Sequence, residues 1–398
     1  MSARRLIAAL LAGALVPQPL AAQTAATAAE PAPSTTGYKP TDELERGLWY
    51  QMDEYERELK TSKFLVTDPA LNQYVRGVLC RTVGEDRCQQ TRLYIVRVPQ
   101  FNASMAPNGT TIVNTGLLLR MRDEAQLAAV LGHEFTHFEN RHSLRLFKDI
   151  RKKTDALSWL SFLPIPYLGM ASQLALIGSV YSFSRDMERE ADAGSIDELA
   201  KRGYDPRAAS AIWSQLAAEM DATALERKHK SQKDKSGGLF ATHPRSTDRM
   251  ATLARLAEAK NLVDPGATRS AEFKAAIGPW WARLIDDQVS LGDFGGTEYL
   301  LATLAGPDPA GWTGDLLYAR GELYRARGKG DDFAKAAEFY RQAIAKGGAP
   351  VETGRGLGLA LLRSGDKAGG QAALKEYLAT NPEAYDYAML AMMAGDGA

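Results

Sequence analysis

The pentapeptide His133-Glu134-Phe135-Thr136-His137 sets two imidazoles four positions apart with a carboxylate beside the first. On a helix this spacing brings both rings to one face, about 6 Å apart, where they can share one zinc ion. Glu134 then projects toward the fourth coordination position, the place of a water that a hydrolase must activate. Only 5 histidines occur in 398 residues, so a chance match is roughly a one-in-a-hundred event at most. The chemistry indicated is metal-assisted hydrolysis, with satisfied surface histidines as the plain alternative.

Zinc in a hydrolase takes a third protein ligand and keeps one position open. His142 lies nine residues after His133 and five after His137, which turns it away from their helix face and makes it a helix-end or packing residue. A metzincin site would need Gly at 140 and His at 143, where this chain has Asn140 and Ser143. Ser184-Arg185-Asp186-Met187-Glu188-Arg189-Glu190-Ala191-Asp192 offers Glu188 and Asp192 on one face, four apart. Glu188 is the expected third ligand and Asp192 the acceptor for the free ring N–H of a ligand histidine. Glu190, about 200° around the helix from Glu188, is expected to face elsewhere.

These groups need helices to carry them. Asp123 with Gln126 three residues on resembles a capping box, opening a helix that runs to about Arg151 and bears both histidines. From Ser184 a polar helix carries Glu188 and Asp192 to near Gly203, and Asp205-Pro206 starts another. Between them, 157–183 is strongly apolar but broken by Pro164 and Pro166, which predicts a buried core helix; a membrane-touching loop is the alternative, and no spanning helix is expected. Upstream, Thr41–Ser62 and Pro69–Val83 read as helices. Leu93–Val98 and Thr110–Asn114 read as strands, a hairpin or adjacent pair with a turn at Pro107-Asn108-Gly109. Thr110–Asn114 is the candidate free edge for an extended substrate, an internal strand being the alternative. Helical spacing returns over Ser246–Lys260 and more loosely over Ala271–Leu304.

Composition narrows the class. Forty-eight Lys and Arg balance 48 Asp and Glu, so no global field draws nucleic acid or an anionic membrane. The basic run Arg227–Lys235 has no interleaved aromatics and reads as a solvated loop. Arg4 and Arg5, the apolar Leu6–Val16 and then Ala21-Ala22 have the order of a secretory signal, followed by an Ala/Pro/Thr-rich linker over 23–40. In an oxidising compartment Cys80 and Cys88 are expected to form one local disulfide across Gly84, two free thiols being the alternative.

The C-terminal part repeats itself. Gly321, Tyr324, Gly328, Ala336, Tyr340 and Ala343 recur as Gly358, Leu361, Gly365, Gly370, Leu374 and Tyr377. The first spacing, Gly321 to Gly358, is a 34-residue tetratricopeptide period lengthened around Lys329-Gly330-Asp331.

In this order, NASMAPNG, LAAVLGHEFTHFENRH, SRDMEREAD and THPRSTDRM resemble the zinc metallopeptidase family of HtpX, BepA and the CAAX prenyl proteases, and most of all its exported BepA-like members with a repeat tail. The resemblance covers roughly residues 41–260. It implies a mainly α fold with a small β-sheet: a gluzincin-type peptidase domain over 41–260, connecting helices over 261–310 and tetratricopeptide-like repeats over 311–398, after a signal peptide at 1–22. It implies one Zn²⁺ per chain on His133, His137 and Glu188, with Glu134 as the catalytic base. His243, beyond the Gly237-Gly238 segment, is then a switch or fourth ligand, with a packing histidine as the alternative. Arg249 is a candidate for orienting substrate or loop, with an ordinary surface arginine as the alternative. The implied protein is a periplasmic endopeptidase acting on unfolded or misassembled envelope proteins, with outer-membrane assembly machinery as the partner of the tail. A zinc-bound chaperone or scaffold with little proteolysis is the second reading.

Overall fold

Short β-branched runs, too few for an independent sheet, are buried here by helices on their flanks. The computed structural model describes residues 39–153, 183–230, 247–264 and 266–395. The expected signal at 1–22, nearly all of the linker, the apolar stretch 157–183 except Phe183, and His243 lie outside the described residues.

Strands β1 (Arg92–Val96), β2 (Ala103–Met105) and β3 (Thr110–Asn114) form a sheet of order β1-β3-β2. β1 runs parallel to β3 from Arg92 opposite Thr110 to Val96 opposite Asn114, and β2 is antiparallel to β3. β1 and β3 are therefore the adjacent pair of the two alternatives, and the hairpin is between β2 and β3. Pro107-Asn108-Gly109 closes it: Gly109 has φ 83°, and Asn108 Oδ1 accepts the Thr110 N–H at 3.1 Å. A correction follows. β3 is the central strand with all five residues buried; of the two edge strands, β1 bonds outward to Phe64–Val66 through Val66 N–H to Ile95 O and Arg97 N–H to Phe64 O, so among the described residues the free edge belongs to β2.

The N-terminal helices are capped as their sequences direct. Asp42 accepts from Glu45 N at the start of α1 (Glu43–Lys60), and Asp68 from Leu71 N at the start of α2 (Pro69–Val83), which has Pro at its first turn. A disulfide joins Cys80 of α2 to Cys88 of α3 (Glu85–Cys88) around Gly84. After α4 (Thr115–Arg120), Asp123 accepts from Gln126 N to start α5 (Glu124–Glu139), while Gln126 Oε1 accepts from Arg122 N. This helix does not continue to Arg151. Arg141 takes a left-handed φ of 53°, and α6 (His142–Lys153) starts afresh.

Helices α7 (Arg185–Lys201), α8 (Ala208–Glu226) and α9 (Thr247–Glu258) complete the surroundings of the site, and α10 (Ser270–Ile277), α11 (Trp281–Ser290) and α12 (Phe294–Ala305) follow. One core runs through nearly all of them, including Leu79, Ile95, Leu131, Ile196, Leu216, Leu253, Ile285 and Leu301. It also takes in Leu316, Ala319 and Leu323 of α13 (Gly314–Arg327), so the first helix of the C-terminal part is built into the main core.

Beyond it, α14 (Asp332–Lys346), α15 (Thr353–Ser364), α16 (Lys367–Thr380) and α17 (Tyr387–Ala394) carry two smaller clusters. The sequence repeat reappears as a repeated contact. Gly321 lies against the Tyr340 ring and Gly358 against Leu374, where an added Cβ would come within 2.5 Å and 2.6 Å respectively. Gly328 and Gly365 end α13 and α15 in the same left-handed conformation. No described helix is long and apolar enough to cross a membrane.

Closing the short Cys80–Cys88 loop stabilises the fold by about 2–3 kcal/mol on chain-entropy grounds. Urea unfolding of the wild type and of Cys80→Ala/Cys88→Ala, each with and without reductant, checks this. The wild-type midpoint should fall on reduction and the double variant's should not move; a wild-type midpoint indifferent to reductant contradicts it.

Candidate active site

Small residues let α5 and α7 approach closely. A Cβ on Gly194 would come within 2.5 Å of Thr136 Oγ1, and one on Gly132 would lie 3.3 Å from Thr82 and 3.5 Å from Ser195. Two hydroxyls are satisfied within the helices or across them: Thr136 Oγ1 donates to Gly132 O at 2.8 Å and Ser195 Oγ to Ala129 O at 2.7 Å. With the helices this near, the first turn of α7 reaches the histidine face of α5.

There His133 Nε2 and His137 Nε2 are 3.0 Å apart, and the Glu188 carboxylate stands 3.6 Å from the first and 3.7 Å from the second. These donor atoms all lie within 4.8 Å of one another on buried residues. A tetrahedral ion with bonds of about 2.0–2.1 Å holds its ligand atoms about 3.3 Å apart, so the set fits such an ion without rearrangement of the helices. Glu134 borders the adjoining cleft with Phe101, Asn102, Ala103, Val130, Ile212 and Trp213. Its floor is apolar, and Ala103 is the first residue of the edge strand β2.

Each ligand candidate is held from behind. Asp192 Oδ1 stands 3.1 Å from His133 Nδ1, fixing that ring with Nε2 toward the ligand cluster. Arg249 of α9 donates from Nε to Asp192 Oδ2 at 2.7 Å and places Nη1 2.9 Å from Glu188 Oε2. Its guanidinium lies over the Trp213 ring at 4.1 Å. Burial pushes the Asp192 carboxyl up, but the Arg249 charge and the hydrogen bonds from His133 and Arg249 outweigh it and bring it down to about 2. Arg249 is buried, which overturns the alternative of an ordinary surface arginine.

His137 is held differently. Its ring stacks on Phe183 with centroids 4.0 Å apart, and its Nδ1 meets His142 Nδ1 at 2.8 Å. His142 Nε2 in turn lies 2.9 Å from Glu190 Oε2, which also accepts from Arg145 Nη1 at 2.8 Å. Hydrogen bonds from Arg145 and then His142 bring the Glu190 carboxyl down to about 2.

A helical wheel turns His142 away from His137 only if one continuous helix runs through it; instead the left-handed Arg141 redirects the chain, and a fully buried His142 folds back onto His137. Glu190 does face away from Glu188, but that direction is where His142 lies. Asn140-Arg141 carries only a weak signal of this break, since Asn ends helices occasionally and it is Arg141, not Asn140, that takes the left-handed conformation.

The family profile described as Peptidase family M48 matches residues 68–257. The chain is 28% identical over 233 residues to the beta-barrel assembly-enhancing protease of Escherichia coli (strain K12), covering 55% of this chain and 45% of that protein. It is 32% identical over 183 residues to the mitochondrial metalloendopeptidase OMA1 of Schizosaccharomyces pombe, covering 44% of this chain and 50% of the relative. With the Arabidopsis thaliana protein of the same description it shares 30% identity over 166 residues, covering 40% of this chain and 30% of the relative. The chain thus spans half or less of the length of these relatives.

Arg249 neutralises two buried carboxylates, so Arg249→Gln leaves both without their countercharge and should cost about 3–5 kcal/mol. Urea unfolding reads this directly; a loss below about 1 kcal/mol, the worth of a solvent-exposed pair, would refute the role assigned to it.

Proposed function

We propose that this chain, whose residues 68–257 belong to peptidase family M48, is an exported zinc endopeptidase that cleaves misfolded or stalled envelope proteins. The observation that carries the reading is the convergence of His133, His137 and Glu188 at one point, with Glu134 beside them on the cleft. Two histidines, a carboxylate and a remaining open position are the donor set of a hydrolytic zinc centre, where the ion would lower the pKa of water and polarise a peptide carbonyl.

The chain's own groups supply the rest. Glu134 takes a proton from the attacking water and returns it to the leaving amine. Asp192 and Arg249 keep His133 and Glu188 oriented. An extended substrate segment adds to the free edge of β2, which leads past Ala103 toward Glu134. His243 is assigned as the switch that fills the open position at rest.

The division into a peptidase domain at 41–260, connecting helices at 261–310 and a tetratricopeptide-like tail at 311–398 is part of the same proposal. The repeated Gly321–Tyr340 and Gly358–Leu374 contacts support the tail. A periplasmic location follows from the signal-like 1–22 segment, and an assembly partner for the tail from the description of the Escherichia coli relative as enhancing beta-barrel assembly.

Glu134→Gln should keep one zinc per chain and lose casein cleavage by about 10²-fold or more, because an amide cannot accept the proton. Ala at His133, His137 or Glu188 should lose the zinc itself. Metal analysis alongside digestion separates the two effects. Turnover by Glu134→Gln equal to wild type would refute Glu134 as the base, and a wild type that holds zinc but does not cleave would favour a zinc-bound scaffold.

A further inference from the structure

The two histidines of the cluster are supported unequally. His133 meets a carboxylate directly, at 3.1 Å from Asp192, while His137 meets the imidazole of His142, which then meets the carboxylate of Glu190. We propose that His142 is the positioning residue for His137, relaying the charge of Glu190 and fixing His137 in the tautomer that binds metal through Nε2. This rests on the reading of His137 as a zinc ligand.

The proton count allows one arrangement. A neutral imidazole that offers its Nε2 lone pair to a metal carries its proton on Nδ1. The His137 Nδ1–H therefore donates across 2.8 Å to His142 Nδ1, which must be bare. The His142 proton is then on Nε2, where it donates to Glu190 Oε2 at 2.9 Å. His142 is fully buried, whereas the Glu190 side chain is 42% exposed and held by Arg145. The relay thus connects a buried ligand to a surface carboxylate on the helix that provides Glu188. The break at Arg141 is what makes it: a helix continued through that residue would carry His142 away from His137.

Two variants of the full chain separate relay from packing. His142→Phe keeps the ring volume and loses both nitrogens; His142→Asn loses the ring and keeps an oxygen where Nδ1 stood. Zinc affinity, measured by competition with a chelator, should fall about 10–100-fold in His142→Phe and recover most of that in His142→Asn. Packing alone predicts the reverse order. Zinc binding by His142→Phe as tight as wild type, or tighter than by His142→Asn, overturns the relay and leaves the zinc site standing. Failure of the wild type to bind zinc overturns the site and the relay together. Should His142→Phe not fold, nitrogen-15 spectra of the wild-type histidines decide: the relay requires N–H on Nδ1 of His137 and on Nε2 of His142, and a His142 protonated on Nδ1 instead refutes it.

Discussion

The distance between α5 and α7 is the constraint on which the site depends. Neither helix alone holds more than two of the converging donors; His133 and His137 lie on one and Glu188 on the other. Gly194 removes the side chain that would drive into Thr136 and keep the axes apart, a side chain at Gly132 would meet Ser195 only at ordinary contact distance, and Ser195 and Thr136 direct their hydroxyls to backbone carbonyls of α5. Buried hydroxyls without partners would oppose such an approach. Because the two contacts sit within one turn of the histidines, the tolerance of the donor geometry is the tolerance of a close-packed interior, a few tenths of an ångström.

That closeness carries an electrostatic cost. Glu188 and Asp192 are brought inside the protein beside each other, and buried carboxylates are stable only where charge and hydrogen bonds answer them. Arg249 answers both from α9, and Trp213 of α8 fixes its plane. Hence α8 and α9 belong to the site as much as the helix bearing the two histidines. The same four helices line the cleft together with Phe101, Asn102 and Ala103, so Glu134 shares it with the start of the edge strand.

The C-terminal helices are tied to this assembly rather than appended to it. α13 contributes to the main core, and through Gly321 on Tyr340 it begins the packing of a glycine against a large side chain that α15 and α16 repeat with Gly358 on Leu374. Buried Arg120 links α4 to Glu219 of α8 and Gln288 of α11, so α11 is tied to one of the helices that line the cleft.

How much of this was legible in the sequence depended on the range of the interaction. The spacing of His133, Glu134 and His137, the Asp42, Asp68 and Asp123 caps, the strand Thr110–Asn114 and the repeat of Gly321 with Tyr340 in Gly358 with Leu374 are local periodicities, and a helix or strand converts each into a face without reference to the rest of the chain. Parallel pairing of β1 with β3, the place of β2 at the edge, the burial of Arg249 and the return of His142 onto His137 are not local. The first two follow from which strand the hairpin leaves at the centre, and Arg249 from a contact across 57 residues to Asp192. His142 turned on a single left-handed residue, Arg141, that no periodicity reports. The sequence by itself determined which side chains could do the chemistry; the tertiary structure decided which of them meet, because only packing brings separate helix faces together and only it can keep a non-glycine residue in a conformation its own sterics disfavour.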